Sequence, residues 1–227
     1  MGIMIFGYTF DKEGSPTGGQ DTLRYSALNT WLSSKESYRK RYYEGLSIST
    51  PEMIFGHQIH RRIEEGEVVL PGLPRYPKAE YNIEVAIGPK NNQIKIGGCI
   101  DSFDPKTLSF LDYKSGHLSK EGKIPWSAVK VSRHMQLVFY SLLIKKKHGK
   151  VDPYTKLIWI ETACKKKTVL FQGHELEAES RELSLTGRYE VFTRRIAEWE
   201  RSVLVKTIKR CAVEISEDFA NYKRAHG

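Results

Sequence analysis

An apolar N-terminus is followed by a stretch over residues 11–22 that is polar and rich in glycine and predicts a loop. Apolar side chains enter the next segment at Leu23, Leu28, Trp31 and Leu32. This change predicts a helix over about residues 22–44, which Asp21 or Thr22 can cap. A second helix is expected over residues 51–66, because Pro51 suits a first helical turn.

Beyond about residue 79 the period of the pattern changes from helical to alternating. Apolar residues stand at every second position, at Tyr81, Ile83, Val85 and Ile87. Alternation is typical of a strand with one buried face, so strands are predicted over residues 81–87, 94–103 and 108–114. Residues 104–107 are Asp-Pro-Lys-Thr and predict the turn of a hairpin between the second and third strands.

Both patterns return after this hairpin. A helix is predicted over about residues 127–148, followed by a strand over 157–162 and a shorter one over 168–171. A strongly charged helix is predicted over residues 186–224. The order of elements favours an α/β (α+β) fold, in which helices flank a central mixed β-sheet and a long helix ends the chain.

The length of 227 residues is suitable for one domain. Residues 1–227 are therefore predicted to form a single domain. Within it we expect a helical N-terminal part over residues 22–66, a core over 79–172 and a C-terminal helical extension over 186–224.

Composition narrows the class of protein. No apolar run approaches the ~20 residues that span a bilayer, and the N-terminus lacks the basic start of a signal peptide. The sequence therefore predicts a cytoplasmic protein without a membrane partner. Cys99, Cys164 and Cys211 are scattered and form no metal-binding spacing. We expect free thiols and no iron–sulfur cluster, since such a cluster normally has four cysteine ligands.

A formal net charge of +9 favours a polyanionic partner, nucleic acid first. The basic residues cluster at Arg39–Arg41, Lys145–Lys147 and Lys165–Lys167. The alternative is that these clusters are solvated helix ends and loops, where basic residues are common. The sequence leaves open whether the chain forms an oligomer or binds a protein partner.

The predicted hairpin carries the residues most suited to catalysis. With the turn centred between Pro105 and Lys106, Asp101 lies opposite Phe110. Side chains alternate faces along a strand, so Asp101, Asp112 and Lys114 are expected on one face. The two carboxylates are then diagonal neighbours with Cα atoms at about 7–8 Å. A shift of one residue would place them on opposite faces.

Two carboxylates at this spacing can bind one hard cation. Bound Mg²⁺ or Mn²⁺ polarises a phosphate and lowers the pKa of water, which is the chemistry that phosphodiester cleavage needs. Lys114 can orient that water or stabilise the developing negative charge. The alternative is an exposed hairpin with its charges in solvent, because an Asp-x-Lys triplet is common.

Four short motifs resemble those of the PD-(D/E)xK nuclease superfamily, in its RecB-type branch with the CRISPR-adaptation nucleases and many phage exonucleases. The first is Gly98-x-x-Asp101 with the later Asp112-Tyr-Lys-Ser-Gly. The others are the segment from Ser26 to Leu32, Gly56-x-x-x-His60 and Gln136-x-x-x-Tyr140. The likeness extends over about residues 24–145.

The resemblance implies a restriction-endonuclease-like core and a role for each motif. It implies that Mg²⁺ or Mn²⁺ is bound by His60, Asp101, Asp112 and the backbone carbonyl of Tyr113. It also implies that Gln136 and Tyr140 contact DNA or orient the site. Iron–sulfur members of the branch place cysteines before the first helix and near the C-terminus, where this sequence has none. The resemblance is therefore to cluster-free members.

Three further residues are candidates on weaker grounds. Arg39 and Arg41 lie in the aromatic and basic stretch and could follow a nucleic-acid strand by charge and stacking. Glu84 could add a third acid. The competing interpretation of His60 is a surface histidine on an amphipathic helix, and Tyr140 could be an ordinary core residue.

Together these features favour a DNA exonuclease or flap-type nuclease that works on free ends, in phage or prokaryotic recombination or repair. A structure-selective endonuclease on the same fold is the second hypothesis. A nucleic-acid-binding module without catalysis is the third, and an unrelated basic α/β protein with coincidental motifs is the fourth.

Overall fold

The structure is a computed structural model. It describes residues 4–11, 14–46, 50–171 and 174–226, and over residues 165–181 it describes the backbone without the side chains. The side chains of the basic cluster Lys165–Lys167 therefore lie outside the described part.

Strands and helices follow one another in groups along the chain. The strands are β1 (Tyr8–Phe10), β2 (Pro16–Gly19), β3 (Thr22–Arg24), β4 (Lys78–Ile87), β5 (Ile94–Asp104), β6 (Ser109–Gly116), β7 (Tyr154–Phe171) and β8 (His174–Arg195). The helices are α1 (Tyr25–Ser33), α2 (Lys35–Tyr42), α3 (Pro51–Glu64), α4 (Ala128–Ser132), α5 (Met135–His148) and α6 (Glu198–His226). Among the described residues no helix is both long and apolar enough to cross a bilayer.

A six-stranded mixed sheet forms the centre of the molecule. Its strands follow the order β3-β5-β6-β7-β8, and β4 pairs with β5. The pairs β3–β5 and β6–β7 are parallel, whereas β4–β5, β5–β6 and β7–β8 are antiparallel. The prediction of an α/β fold with a central mixed sheet and a long final helix is confirmed.

Strand β5 is paired unevenly, and this shapes the candidate site. β3 pairs with β5 as far as Gly97, and β6 pairs with it from Ser102 onward. Within the described pairing, the four residues from Gly98 to Asp101 have no strand neighbour on that edge. A short opening therefore exists in the middle of the sheet, where backbone and side-chain groups are free to face a ligand.

Apolar side chains pack on both faces of the sheet. One cluster combines α1, α2, α5 and α6 with the sheet, and α5 buries every residue from Leu137 to Ile144. A smaller cluster covers the other face, where Ile59 and Ile63 of α3 pack against Leu111 and Tyr113. Burial on this scale is the main stabilising contribution to such a domain. It leaves the sheet as a rigid support for the polar groups at the opening.

The N-terminal helix differs from its prediction. One helix was expected over residues 22–44, but Ser34 has an extended backbone, with φ −162° and ψ 112°, and separates α1 from α2. The Ser34 hydroxyl accepts a hydrogen bond from the Ser37 backbone at 3.1 Å and so caps α2. Thr22 belongs to β3, and Asp21 forms an ion pair with Lys95, so neither residue caps α1.

The helices and strands of the C-terminal half also differ from their prediction. The helix predicted over residues 127–148 is divided by Arg133 and His134, and the two strands predicted over 157–162 and 168–171 form one long β7. Residues 186–195 were expected to be helical but belong to β8. Their pairing with β7 decides the outcome, because tertiary pairing overrides the helical preference of a charged segment.

The register of the β5–β6 hairpin is shifted by two residues from the prediction. Phe103 pairs with Phe110, and Ser102 pairs with Leu111. The same register brings Asp101 level with Asp112, whereas the prediction placed Asp101 opposite Phe110. An even shift keeps the side-chain alternation unchanged, so the two acids stay on one face as expected.

Candidate active site

Asp112 is a buried charge at the centre of the sheet. β6 lies between β5 and β7, and the Asp112 side chain is 0% exposed. The Lys114 Nζ forms an ion pair with Asp112 Oδ2 at 2.9 Å. Apart from this ion pair, neither carboxylate oxygen of Asp112 has a partner among the described residues. An ionised group in this state is costly unless a further partner is present.

Asp101 lies at the opening in the sheet, beside Asp112. Its Oδ2 accepts a hydrogen bond of 2.7 Å from the Tyr113 backbone, which replaces the strand pairing that ends at Ser102. Burial, and then the negative charge of Asp112, raise the pKa of Asp101 to about 7. Two carboxylates this close repel each other, and the repulsion is relieved by a proton or by a cation.

Lys114 provides the positive charge of the cluster. Burial alone would lower the pKa of its amine, but the charges of Asp112 and Asp101 outweigh burial, and the pKa is raised. The amine is therefore an ammonium at neutral pH, and it is oriented toward the carboxylates by charge.

His60 approaches the cluster from α3. A side chain on Gly56 would come within 2.9 Å of Ser115 Oγ, so the glycine lets α3 lie close to β6. This contact brings His60 Nδ1 to 3.9 Å from Asp101 Oδ2. Burial, and then the charge of Lys114, lower the pKa of His60 to about 4, so the ring is neutral at pH 7. A neutral imidazole is the form that binds metals.

The predicted ligand Tyr113 is also in place. Its backbone forms a hydrogen bond with the His60 ring, and its backbone N–H bonds Asp101. The structure thus brings together all the residues predicted to form the cluster, which are His60, Asp101, Asp112, Tyr113 and Lys114.

Two residues near the cluster were missed by the sequence analysis. His134 lies between α4 and α5, with its Nε2 at 3.9 Å from Asp112 Oδ2. Glu80 neighbours Tyr81, which pairs with Ile100, and its charge contributes to the raised pKa of Asp101. Glu80 also has a backbone φ of +44°, which is rare for this residue type. The position of Glu80 could have been obtained from the β4–β5 register, but no local signal marked His134.

A cavity of about 380 Å³ opens beside the cluster. Gln136 and Tyr140 line it together with Arg41, and the Gln136 amide nitrogen donates to the Tyr140 hydroxyl at 2.9 Å. A side chain on Gly98 would come within 2.9 Å of the Tyr140 ring, so this glycine makes room for the ring at the opening. Arg41 is exposed and Gln136 is half-buried, so both can meet a ligand in the cavity, whereas Tyr140 is 7% exposed and packs in the core.

Arg39 and Glu84 lie elsewhere. The Arg39 guanidinium is bonded to Asp218 of α6 and is used in packing α2 against α6. Glu84 pairs with Gly97, which is four residues from Asp101 along β5, a distance of about 13 Å. It lines a second cavity of about 440 Å³, which shares Arg41 with the first. Glu84 therefore does not join the acidic cluster, contrary to expectation.

The donor set of the cluster is suitable for a divalent cation. Asp112 offers two buried oxygens that have no hydrogen-bond partner among the described residues, and Asp101 and His60 offer an oxygen and a neutral ring nitrogen. Oxygen and imidazole ligands together are typical of Mg²⁺, Mn²⁺ and related ions. In the part of the chain that the structure describes, no group of three or more His, Cys, Asp or Glu side chains is arranged to hold a metal ion.

The fold is similar to that of a solved structure, and a second one aligns more weakly. A phage-related exonuclease from Haemophilus somnus 129PT aligns with a TM-score of 0.50 at 11% sequence identity, over 97% of this chain and 92% of that chain. An alkaline exonuclease, LHK-Exo from Laribacter hongkongensis, aligns with a TM-score of 0.45 at 10% identity, over 90% of this chain and 92% of that chain. The chain therefore shares its fold with the phage-related exonuclease.

The sequence itself gives no match of this kind. No protein-family model matches the chain, and no curated protein matches it. The likeness thus lies in the architecture, and the roles of individual residues rest on the geometry described above.

Proposed function

We propose that this protein is a metal-dependent DNA nuclease that hydrolyses phosphodiester bonds at free ends. The observation that carries the proposal is the convergence of Asp101, Asp112 and Lys114 at an opening in the sheet. A buried acid and a half-buried acid held together with one ammonium cost stability unless they serve a ligand. Phosphoryl transfer uses this combination of anionic metal ligands and a cation at the reacting phosphate.

Each residue of the cluster has a distinct part in the proposed reaction. Asp101, Asp112, His60 and the Tyr113 carbonyl would hold a divalent cation, Mg²⁺ or Mn²⁺. When bound, this cation supplies Lewis-acid stabilisation of the charge that develops on the phosphate. The Lys114 ammonium would donate a hydrogen bond to the same phosphate, or orient the attacking water. Asp112 keeps Lys114 charged and in position.

The cavity beside the cluster supports a nucleic-acid substrate. Arg24 and Arg41 line it, are exposed and can pair with phosphates. Shared fold with a phage-related exonuclease favours action at DNA ends, and by analogy a role in recombination or repair of phage or prokaryotic DNA.

Degradation of defined DNA substrates tests the proposal. The full chain is incubated with linear and closed circular DNA, single- and double-stranded, in Mg²⁺, in Mn²⁺ or in EDTA. We expect linear DNA to be degraded to nucleotides or short products in either metal, and to be intact in EDTA. Nicking of closed circles would indicate an endonuclease instead. Shifted but uncut DNA in every condition would contradict catalysis and support a binding module.

A further inference from the structure

His134 is held rigidly at the edge of the candidate site. It lies at the start of α5, and its side chain is 18% exposed. The ring of Trp126 meets it edge-on with centroids 5.0 Å apart, and the ring of Tyr25 does so at 6.5 Å. The backbone carbonyl of His134 accepts a hydrogen bond of 2.7 Å from Arg194. These contacts fix where the imidazole points.

One nitrogen of the His134 ring has no hydrogen-bond partner. This nitrogen is Nε2, and it is buried. In metal sites, a histidine whose ring is held by the surrounding protein offers such a nitrogen to the ion.

The unpartnered nitrogen faces the buried carboxylate. His134 Nε2 lies 3.9 Å from Asp112 Oδ2, which is too far for a hydrogen bond. Both oxygens of Asp112 are buried, and the Lys114 ammonium approaches only Oδ2, at 2.9 Å. Buried polar atoms that do not satisfy one another are unfavourable. A cation placed between the ring and the carboxylate would satisfy the ring nitrogen and a carboxylate oxygen together.

We propose that His134 is a ligand of the divalent cation, which it shares with Asp112. Ring nitrogen and carboxylate oxygen each lie about 2.0–2.2 Å from a bound ion, so two ligands of one ion are separated by up to about 4 Å. The observed 3.9 Å falls within this limit. This assignment rests on the proposed function and goes beyond it, because His60 was the imidazole expected at the site.

A second imidazole changes which metal the site prefers. Imidazole binds Mn²⁺ and other transition ions more readily than Mg²⁺, which favours oxygen ligands and retains its water. With His60 on one side of the acids and His134 on the other, we expect the protein to bind Mn²⁺ more tightly than Mg²⁺.

Electron paramagnetic resonance of bound Mn²⁺ tests the assignment without measuring activity. The full chain is titrated with Mn²⁺, and the bound and free ion are quantified for wild type, His134→Ala and His134→Gln. His148→Ala is the matched control, since His148 lies at the other end of α5 and packs on Tyr81 and Phe103. We expect the dissociation constant for Mn²⁺ to rise at least ~10-fold in both His134 variants and to be unchanged in the control.

Pulsed measurements identify the ligand directly. Nitrogen bound to Mn²⁺ modulates the electron spin echo, so the remaining imidazole can be followed in His60→Ala. We expect this variant to keep a nitrogen signal that disappears in His60→Ala/His134→Ala. Wild-type Mn²⁺ affinity in folded His134→Ala, or wild-type protein that binds no Mn²⁺, would overturn the assignment. Where His134→Ala does not fold, the same criterion is applied to His134→Gln.

The outcomes separate this inference from the proposed function. Mn²⁺ binding through His134 in a protein that leaves DNA intact would refute the nuclease and keep the ligand. Degradation of DNA by the wild type, together with unchanged Mn²⁺ affinity of both His134 variants, would keep the nuclease and refute the ligand.

Discussion

The two ends of α5 carry many of the polar groups of this molecule and use them differently. At its N-terminal end His134, Gln136 and Tyr140 face buried acids across the opening in the sheet. At its C-terminal end Lys145 and Lys146 line a basic cavity of about 580 Å³ together with α6. Both ends present a cavity lined by charged or polar groups, but only the N-terminal end lies beside buried polar atoms without a hydrogen-bond partner, at Asp112 and His134.

The two sets of charges differ in burial, and burial determines how much free energy it costs to keep them charged. At the basic cavity Glu198 pairs with Lys145 and, at 2.8 Å, with Arg201, while Lys206 and Lys209 are exposed to solvent. Water satisfies such charges, and exposed pairs contribute little to stability. At the acidic cluster the buried oxygens of Asp112 have no hydrogen-bond partner within the described part of the chain. Buried polar atoms without enough hydrogen-bond partners therefore indicate a catalytic site better than a high density of exposed charge does.

The largest effect is expected from removing the buried charge of Asp112. We expect Asp112→Asn to reduce cleavage by ~10²-fold or more, because it removes a metal ligand and the partner of Lys114. The fold should persist, since an amide of the same shape is less costly to bury than an ionised acid. Initial rates on linear DNA in Mn²⁺, with circular dichroism as a test of folding, measure both effects.

The same hairpin offers a control for this variant. Lys106 lies in its turn and is exposed, so Lys106→Met should cleave at the wild-type rate. Comparable activity of Asp112→Asn and Lys106→Met would show that the buried acid is not part of the catalytic site.

The next effect concerns stability, and its sign follows from the pKa of Asp101. The pKa of this carboxyl is raised from 3.8 to about 7 in the folded protein. The unfolded chain therefore releases the proton first, and the free energy of unfolding declines as the pH rises from about 4 to about 7. Above pH 7 the metal-free protein no longer has this contribution, which is on the order of a few kcal/mol.

Asp101→Asn should remove this dependence. Urea unfolding in EDTA is measured at intervals from pH 5 to pH 8 for both proteins, and their difference cancels the opposite contribution of His60. We expect the variant to gain stability relative to the wild type as the pH rises. If the free energies of unfolding of the two proteins ran parallel at all pH values, the pKa of Asp101 would not be raised in the folded protein.

The contrast between the two regions also explains what the sequence could predict. The alternation along residues 81–114 determined the faces of the hairpin strands, so Asp101, Asp112 and Lys114 were placed together despite a register error of two residues. Gly56 and His60 share a helix face for the same kind of local reason. Periodicity and local spacing are properties of the chain itself.

Long-range contacts could not be predicted from the sequence. Arg39 is bonded to Asp218, which lies 179 residues away, and nothing near Arg39 in the sequence indicates this pair. His134 joins the site only because α4 ends just before it and α5 begins just after it. The 22-residue β8 was missed because its charged sequence is strand only when paired with β7.

A smaller effect is expected at the side of the cluster formed by α3. His60→Ala should raise the Mn²⁺ concentration for half-maximal cleavage by ~10-fold and leave DNA affinity in EDTA unchanged, because His60 is proposed to bind metal and not DNA. His57→Ala, on the same helix, is the control. Identical metal titrations for His60→Ala and the wild type would remove His60 from the set of ligands.

The smallest effect is expected at the basic end of α5. Lys146→Ala/Lys206→Ala removes two exposed cations of the cavity, whose attraction to phosphates is screened by salt. If DNA passes over this surface, the slope of log K against log salt should become shallower by about 0.9 for each phosphate that the variant no longer neutralises, and the cleavage rate at saturating DNA should stay at the wild-type value. Binding measured between 50 and 200 mM salt (roughly the range over which such ion pairs weaken) tests the slope. A reduced rate at saturating DNA would place these lysines in the catalytic machinery and would end the distinction between a buried end that performs chemistry and an exposed end that attracts substrate.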